Sequence, residues 1–480
     1  MNVFEYFKKK GIDVIDRAFY TKIDLWDSWY RSNVQRFHRY RVYRGSGSYI
    51  RCQRKSLGMA KKICEDMADL LLNERVRITV ADETTSDYVQ RVLHEANFDS
   101  MGNEYQERKA ACGTVAYVPY LTNMEIDEEG NILHADVKLD YVTARNIYPT
   151  AWENGRITEV IFAFPKVWQR KKYINFQHHK LEQTMDESTG AVTWQYVILN
   201  YVAEESAGRD LTPEEWNRIP YFTGLAARVE TGSDKPQFTI DKLAIANNVD
   251  EDDSNPMGIS IFANSLDVLA KLDLEYDSYA NEFTLGRKRI FVAPEMLTAS
   301  DGSMVFDPDD SVFYMLPEDY FRNTNEALHE VNMSLRVAEH EQAINNDLNL
   351  LSMKLGFGTQ YYKFDRGTVA TATQVISENS DMYRTIQKHE LILSDVLTDL
   401  IRTIIRLGIA AGESGLVADT EITIMFDDSI IEDKATERNE DRKDVAMGVM
   451  GLAEYRSKWY GETEDAAAKR LPDQSDGVLM

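Results

Sequence analysis

The sequence predicts an α+β fold, and three observations predict it. Helical periodicity dominates the first 112 residues or so. Short alternating strands separated by turn signals fill 113–240. Long amphipathic helices joined by short strands and turns then make up most of the second half.

Residues 1 to about 75 read as mostly helical. From Met59 to Asn73, Ile63, Met67, Leu70 and Leu71 share one face of a helix. Within this region, 31–55 (RSNVQRFHRYRVYRGSGSYIRCQRK) carries eight basic residues and no acidic one, interleaved with Phe37, Tyr40, Tyr43 and Tyr49. Basic and aromatic residues together can hold single-stranded nucleic acid. In so acidic a chain the favoured reading is an arm that docks on an acidic neighbour. Arg75 to Val80 (RVRITV) alternates as a strand, and another helix is expected over 85–112. The strands that follow include TVAYVPYL, ADVKLDYVT, EVIFAFPKVW and WQYVILNYV. Turns at Glu129-Gly130-Asn131 and Glu153-Asn154-Gly155 punctuate them.

An acidic connector, Asp250 to Asp253, precedes Asn255-Pro256. Over 258–284, Phe262, Leu266, Leu269, Leu272, Tyr276, Tyr279 and Phe283 recur at helical spacing. Gly286 is placed to stop that helix, which would be about 40 Å long. Residues 287–325 read as short strands and turns. Residues 326–355 return to a helix through Leu328, Val331, Leu335, Ala338, Ile344, Leu348, Leu351 and Leu355. A break at Gly356-Phe357-Gly358 leads to YYKFDRG. A third long helix spans about 371–411, with Thr371 and Gln374 in capping-box spacing and Ile386, Leu393, Leu397, Leu400 and Ile404 on its apolar face. A strand at 421–426 and an acidic helical C-terminal region complete the chain.

Composition narrows the function. The 79 Asp and Glu residues outnumber 54 Lys and Arg, for a net charge of −25. A protein that grips the DNA backbone usually presents a basic surface, so the balance suits an assembly subunit or a surface that DNA passes without sticking. Cys52, Cys64 and Cys112 form no C-x-x-C pair, which argues for a reducing compartment. Neither a signal peptide nor a membrane span is expected, and the protein is expected in the cytoplasm or in a particle assembled there.

No constellation of catalytic residues is expected. Asp427 and Asp428, with Glu432 and Asp433, lie on one loop, whereas two-metal sites draw carboxylates from several rigid elements. Asp307, Asp309 and Asp310 lack the EF-hand pattern and read as a turn around Pro308. Gly356-x-Gly358 follows a helix and lacks a third glycine, so it is no dinucleotide fingerprint. The Walker pattern is missing. His178 and His179 read as a surface pair in a polar loop, and Tyr276, Tyr279 and Phe283 as core or subunit contacts. No catalytic residue, metal or cofactor is therefore expected.

One long stretch after another resembles the portal proteins of long-tailed phages of Gram-positive bacteria: 62–80 (KICEDMADLLLNERVRITV), 255–292 (NPMGISIFANSLDVLAKLDLEYDSYANEFTLGRKRIFV), 305–317, 348–365 (LNLLSMKLGFGTQYYKFD), 371–390 and 425–434. The resemblance implies a portal-type α+β fold. Its parts would be an N-terminal arm and α/β wing over 1–257, a stem helix over 258–286, a small β-containing clip over 287–325 and a second stem helix over 326–355. A tunnel loop over 356–370, a tunnel helix and wing strand over 371–428 and a C-terminal crown over 429–480 would follow. It further implies a ring of 12 subunits at one capsid vertex, through which double-stranded DNA passes without sequence specificity during packaging and ejection. Terminase and later the head-completion or connector protein would dock on it, and scaffold and major capsid protein would assemble around it. No membrane partner is expected.

Within that family frame, Tyr361, Tyr362, Lys363 and Arg366 would lie on the tunnel loop, with Gly356, Gly358 and Gly367 as hinges; the residues alone favour the plain alternative, a helix–helix turn with its aromatics packed inward. Arg287, Lys288 and Arg289 would form the docking patch of the clip, the plain alternative being a helix C-terminal cap. Helical projection puts Asp267, Lys271, Glu275, Ser278 and Glu282 opposite the apolar stripe. That face is either solvated, with i,i+4 pairs Asp267–Lys271 and Lys271–Glu275, or an acidic lumen wall that repels phosphate. The rival readings are an Asp-rich metal nuclease or terminase-like enzyme, and a scaffold or minor structural protein without a channel.

Overall fold

The computed structural model describes residues 2–44, 47–72, 76–127, 132–185, 192–286, 289–292, 313–315, 328–331, 333–364, 372–426, 434–460 and 467. It begins with α1 (Val3–Lys9) and α2 (Arg17–Tyr30), each capped by an Asx side chain that accepts a backbone N–H, Asn2 from Phe4 and Asp16 from Ala18. Phe19, Ile23 and Trp26 of α2 are buried. A single turn, α3 (Gln35–His38), leads into the antiparallel hairpin of β1 (Arg39–Arg44) and β2 (Ser48–Gln53). The helical reading of this region is corrected here. RYRVYR and SYIRCQ pair antiparallel, and the glycines of the Gly-Ser-Gly sequence between them favour a chain reversal over a continuous helix.

Next come α4 (Met59–Leu71), β3 (Arg77–Val80), α5 (Glu83–Glu95) and α6 (Phe98–Cys112). The single helix expected over 85–112 is two, because Asn97 adopts a left-handed conformation (φ +53°) between them. At the end of α6, Gly113 (φ +84°) lets the backbone of Gly258 approach so closely that a Cβ would sit 2.3 Å from its carbonyl oxygen.

The β-rich stretch is antiparallel throughout. It runs β4 (Thr114–Ile126), β5 (Ile132–Thr143), β6 (Ile147–Glu153), β7 (Arg156–Trp168), β8 (Lys171–Met185) and β9 (Val192–Glu204). The short β10 (Arg209–Asp210), α7 (Pro213–Trp216), β11 (Arg228–Glu230) and β12 (Thr239–Lys242) follow. One sheet has the order β10-β9-β8-β7-β6, with β11 also on β9; the other is β12-β4-β5. His178 and His179 lie in β8 and are buried, which corrects the polar loop expected for them. Along the central strand β8, consecutive residues from Tyr173 to Phe176 and then His178 and His179 are buried, so alternation exposes neither ring.

The second half consists of α8 (Leu266–Leu285), a small sheet of β13 (Arg289–Val292), β14 (Phe313–Met315) and β15 (Leu328–Val331), then α9 (Val337–Leu355) and α10 (Ala372–Ala410). Strand β16 (Ile422–Met425) pairs with β3, and α11 (Lys434–Met447) and α12 (Leu452–Tyr460) end the described chain. Two boundaries differ from expectation. Residues 258–262 are not helical, because Gly258 and Ile261 donate to Thr114 Oγ1 and the Ala110 carbonyl (2.9 and 3.0 Å) and so tie this stretch to α6 and β4. Leu328–Val331 pairs with β13, so the returning helix starts at 337, where ladder hydrogen bonds no longer compete. Helix α10 matches expectation closely: Ile386, Leu393, Leu397, Leu400 and Ile404 are all fully buried.

Candidate functional site

Helices α8 and α9 are antiparallel, as their cross-links show. Asp267 meets Lys354 (3.3 Å), Lys271 meets Asp347 (2.8 Å) and Glu282 meets Arg336 (2.9 Å), so partner numbers fall along α9 as they rise along α8. The small sheet therefore hangs from the Leu285 end, and the chain after Leu355 leaves from the opposite end. Leu269 and Leu272 bury against the core, as do Ile344, Leu348 and Leu351 of α9. Toward the sheet the apolar stripe loses its cover, and Phe283 is 48% exposed.

The charged face of α8 keeps one of its two expected i,i+4 pairs and exchanges the other for a contact with α9. Lys271 does pair with Glu275 (3.7 Å), but Asp267 pairs with Lys354 and not with Lys271. The side chains of Glu275 and Glu282 are only 16% exposed, while those of Asp267 and Lys271 remain open to solvent. The face is thus in large part a polar seam against α9. Hydrogen bonds from Arg336 hold Glu282 down to about 2, and burial followed by the nearby Asp347 pushes Glu275 up.

The loop after α9 is built from its glycines. Gly356 ends the helix at φ +78°, where a Cβ would meet Thr385 Oγ1 at 2.5 Å, and Gly358 follows at φ +81°. Phe357 is buried between them. Tyr362 is also buried: its hydroxyl donates to Asp66 (2.9 Å) and its backbone N–H to Ser352 Oγ (3.1 Å). Burial and the Asp66 carboxylate hold that phenol protonated far above the ordinary range. Tyr362 therefore anchors the loop on α4. Tyr361 stays 38% exposed and Lys363 half-buried, and the Phe364 N–H donates to Asn345 (2.7 Å). Arg366, Gly367 and the Thr371 cap lie outside the described residues, as do Arg287, Lys288 and the acidic groups at 307–310 and 427–433. The side chain of Gln374, the other half of the expected capping box, does too. Arg289 lies on β13 opposite Val331.

Sequence reasoning missed a second set of contacts on α8. Asp273 accepts from Ser56 Oγ and the Leu57 N–H (3.0 and 2.8 Å), and His38 Nε2 lies 2.9 Å from its other oxygen. His38 Nδ1 accepts the Val34 N–H, so Nε2 carries the proton toward Asp273. Asp277 accepts the Lys55 N–H (3.0 Å). Two carboxylates of α8 thus clamp the foot of the β1–β2 hairpin. The only hint in the sequence was a pair of aspartates one turn apart beside apolar neighbours.

Among the described residues no group of three or more His, Cys, Asp or Glu could hold a metal ion, and no helix is long and apolar enough to cross a membrane. The comparison that decides the family is with a model of phage portal proteins, SPP1 Gp6-like, which matches residues 10–477. The chain belongs to that family. Portal proteins of this family are structural components of the virion, and membership puts the chain at the capsid vertex through which DNA is packaged. Among solved structures, a chain in the neck of a native GTA particle computed with C12 symmetry is 11% identical over 83% of this chain and 88% of its own, with a TM-score of 0.42. Another, in the virion of a native gene transfer agent particle, is 11% identical over 83% and 87%, with a TM-score of 0.36. Comparison with curated proteins gives no match.

Proposed function

We propose that this portal-family chain assembles in the host cytoplasm into a ring of twelve subunits, in which the α8–α9 pair forms the stem. The small β13–β15 sheet would be the clip, and the loop from Gly356 would reach into the channel that DNA occupies. The observation that carries the reading is the antiparallel helix pair with a small sheet at one end and a glycine-bounded loop leading into a 39-residue helix at the other. Asp267 and Lys271 are the more exposed charges of the pair and would face the lumen while also bridging to Lys354 and Asp347 of α9; Glu282 ties the two helices through Arg336, and Glu275 pairs with Lys271 on its own helix. Because Tyr362 anchors the loop, Lys363 and Arg366 are left as the cations that would touch phosphate lightly. The work is mechanical: the ring holds a channel open and centres the DNA, with no cofactor and no catalysis. Scaffold and major capsid protein would build on its rim.

Lys363→Ala with Arg366→Ala leaves the anchor in place. Rings of this variant should assemble and enter procapsids, yet package DNA poorly or lose it afterwards. Normal packaging and retention would reduce the loop to a connector. The clip should dock terminase and later the connector protein through Arg287, Lys288 and Arg289, a basic run directly after an acidic helix. Reversing Arg287 and Lys288 to glutamate should leave rings intact and block packaging; unaltered packaging would make that run a helix cap and nothing more.

A further inference from the structure

The β1–β2 hairpin is built as if half of a joint. Among the described residues its strands pair only with each other, and all of β2 except Cys52 is exposed. A lone two-stranded hairpin in water is marginal and ordinarily gains its stability from a covered face. Here the register sorts the side chains into two unlike faces. Arg39, Arg41, Tyr43, Tyr49 and Arg51 share one, with Arg41 directly opposite Arg51 and Tyr43 opposite Tyr49. Val42 and Ile50 face each other on the other side, 43% and 37% exposed.

Like charges directly across a ladder repel. Neither Arg41 nor Arg51 has a carboxylate partner among the described residues of this chain, although 79 acidic residues are available in it and none falls within 31–55. Meanwhile the foot of the hairpin is fixed to α8 by Asp273 and Asp277, so its direction is set. A rigid base, a cationic face and an apolar back require a partner that supplies carboxylates on one side and apolar surface on the other.

We propose that the partner is a second copy of this chain, whose acidic surface receives the hairpin of the subunit beside it. The inference rests on the ring reading above and says which element joins one subunit to the next. A closed ring uses one surface of each subunit against a different surface of its neighbour, and a projecting basic hairpin meeting an acidic body is such a heterologous contact. Charge complementarity favours it: the chain carries −25 overall, while 31–55 is purely basic. Nucleic acid would satisfy the arginines but leave Val42 and Ile50 bare. Moreover, Tyr43 and Tyr49 already pack edge to face at 5.4 Å, which leaves no slot between them for a base.

The test compares the full-length chain with Arg41→Glu/Arg51→Glu and with Val42→Ser/Ile50→Ser, by light scattering across a concentration series and by negative-stain imaging. Both variants should keep the melting profile of the monomer, and each should need at least about ten-fold more protein to form rings. Wild-type rings should also loosen as salt is raised, in the charge-reversed variant's direction. Rings forming at the wild-type concentration in both variants would overturn the hairpin's role while leaving the ring reading standing. Should the wild type retard a single-stranded oligonucleotide, and the charge-reversed variant lose that binding while still forming rings, the hairpin is a nucleic-acid element and the proposal fails. A wild-type chain that never self-associates removes the ring reading and this inference together.

Discussion

Moved from pH 7 to pH 4, the protein should lose much of its stability, and three buried histidines should account for a large part of the loss. Burial holds His178 down to about 4 and His179 and His389 down to about 3, from an ordinary 6.5. All three are neutral in both folded and unfolded chains above pH 6.5. Below it the unfolded chain takes up protons that the folded chain refuses, so stability falls with pH until the folded values are reached. At about 1.4 kcal/mol per pH unit for each group, His179 and His389 would each cost about 3 kcal/mol at pH 4. The refusal has a geometric basis. His179 stands edge-on between Phe162 and Phe238, and His389 accepts the Ala244 N–H at Nδ1 (3.1 Å). His179→Phe should keep the aromatic packing and shift the acid midpoint downward by several tenths of a pH unit or more. Acid titration followed by circular dichroism reads this directly; identical midpoints for the two proteins would show that His179 does not drive the loss.

Asp241→Asn should be among the most damaging single changes in the chain, at about 3–5 kcal/mol. Lys109 and Asp241 are buried together, with the ammonium 2.9 and 3.0 Å from the two carboxylate oxygens. Gln106 Nε2 donates to the same carboxylate (2.7 Å) and to the Tyr117 hydroxyl (2.9 Å), which joins α6, β4 and β12 in one polar knot. Burial pulls Lys109 below the ordinary lysine range even with Asp241 beside it. Removing only the negative charge strands the ammonium in the core. A Lys109→Met/Asp241→Leu double variant removes both charges and should recover most of the loss. Denaturant unfolding decides the matter: a single variant within about 1 kcal/mol of wild type would mean that the knot relaxes or admits water.

What could be read from the sequence followed local rules. Helix α10 was legible because its buried leucines and isoleucines keep one face over many turns, and β4, β5, β7 and β9 because alternation and turn residues coincide. The antiparallel return of α9 was legible in outline, but Leu328–Val331 was absorbed into it, since a four-residue strand carries no periodicity of its own against a helical neighbour. The roles of Asp273, Asp277 and Asp347 were not legible. Their partners His38, Lys55 and Lys271 lie from 76 to 235 residues away in the chain, and a carboxylate on a helix looks solvated until its partner is placed. His178 and His179 failed for the same reason: whether a sheet is covered on one face or two is decided by elements far from the strand. Tyr362 was expected to face DNA only through the family resemblance, the residues alone favouring aromatics packed inward, and its hydrogen bond to Asp66 of α4 turns it inward.

At 39 residues, α10 is about 58 Å long and touches α4, α5, β4, β5, β12 and β16 in turn. It is the spar to which the early helices, the second sheet and the late strand are all fastened, and β16 closes the circuit by pairing with β3, more than 300 residues earlier. A chain wired in this way cannot settle its first half while the last third is still emerging from the ribosome. In the proposed ring, subunits would therefore be completed before they are matched edge to edge, and a truncated product would have no finished flank with which to poison a closing circle.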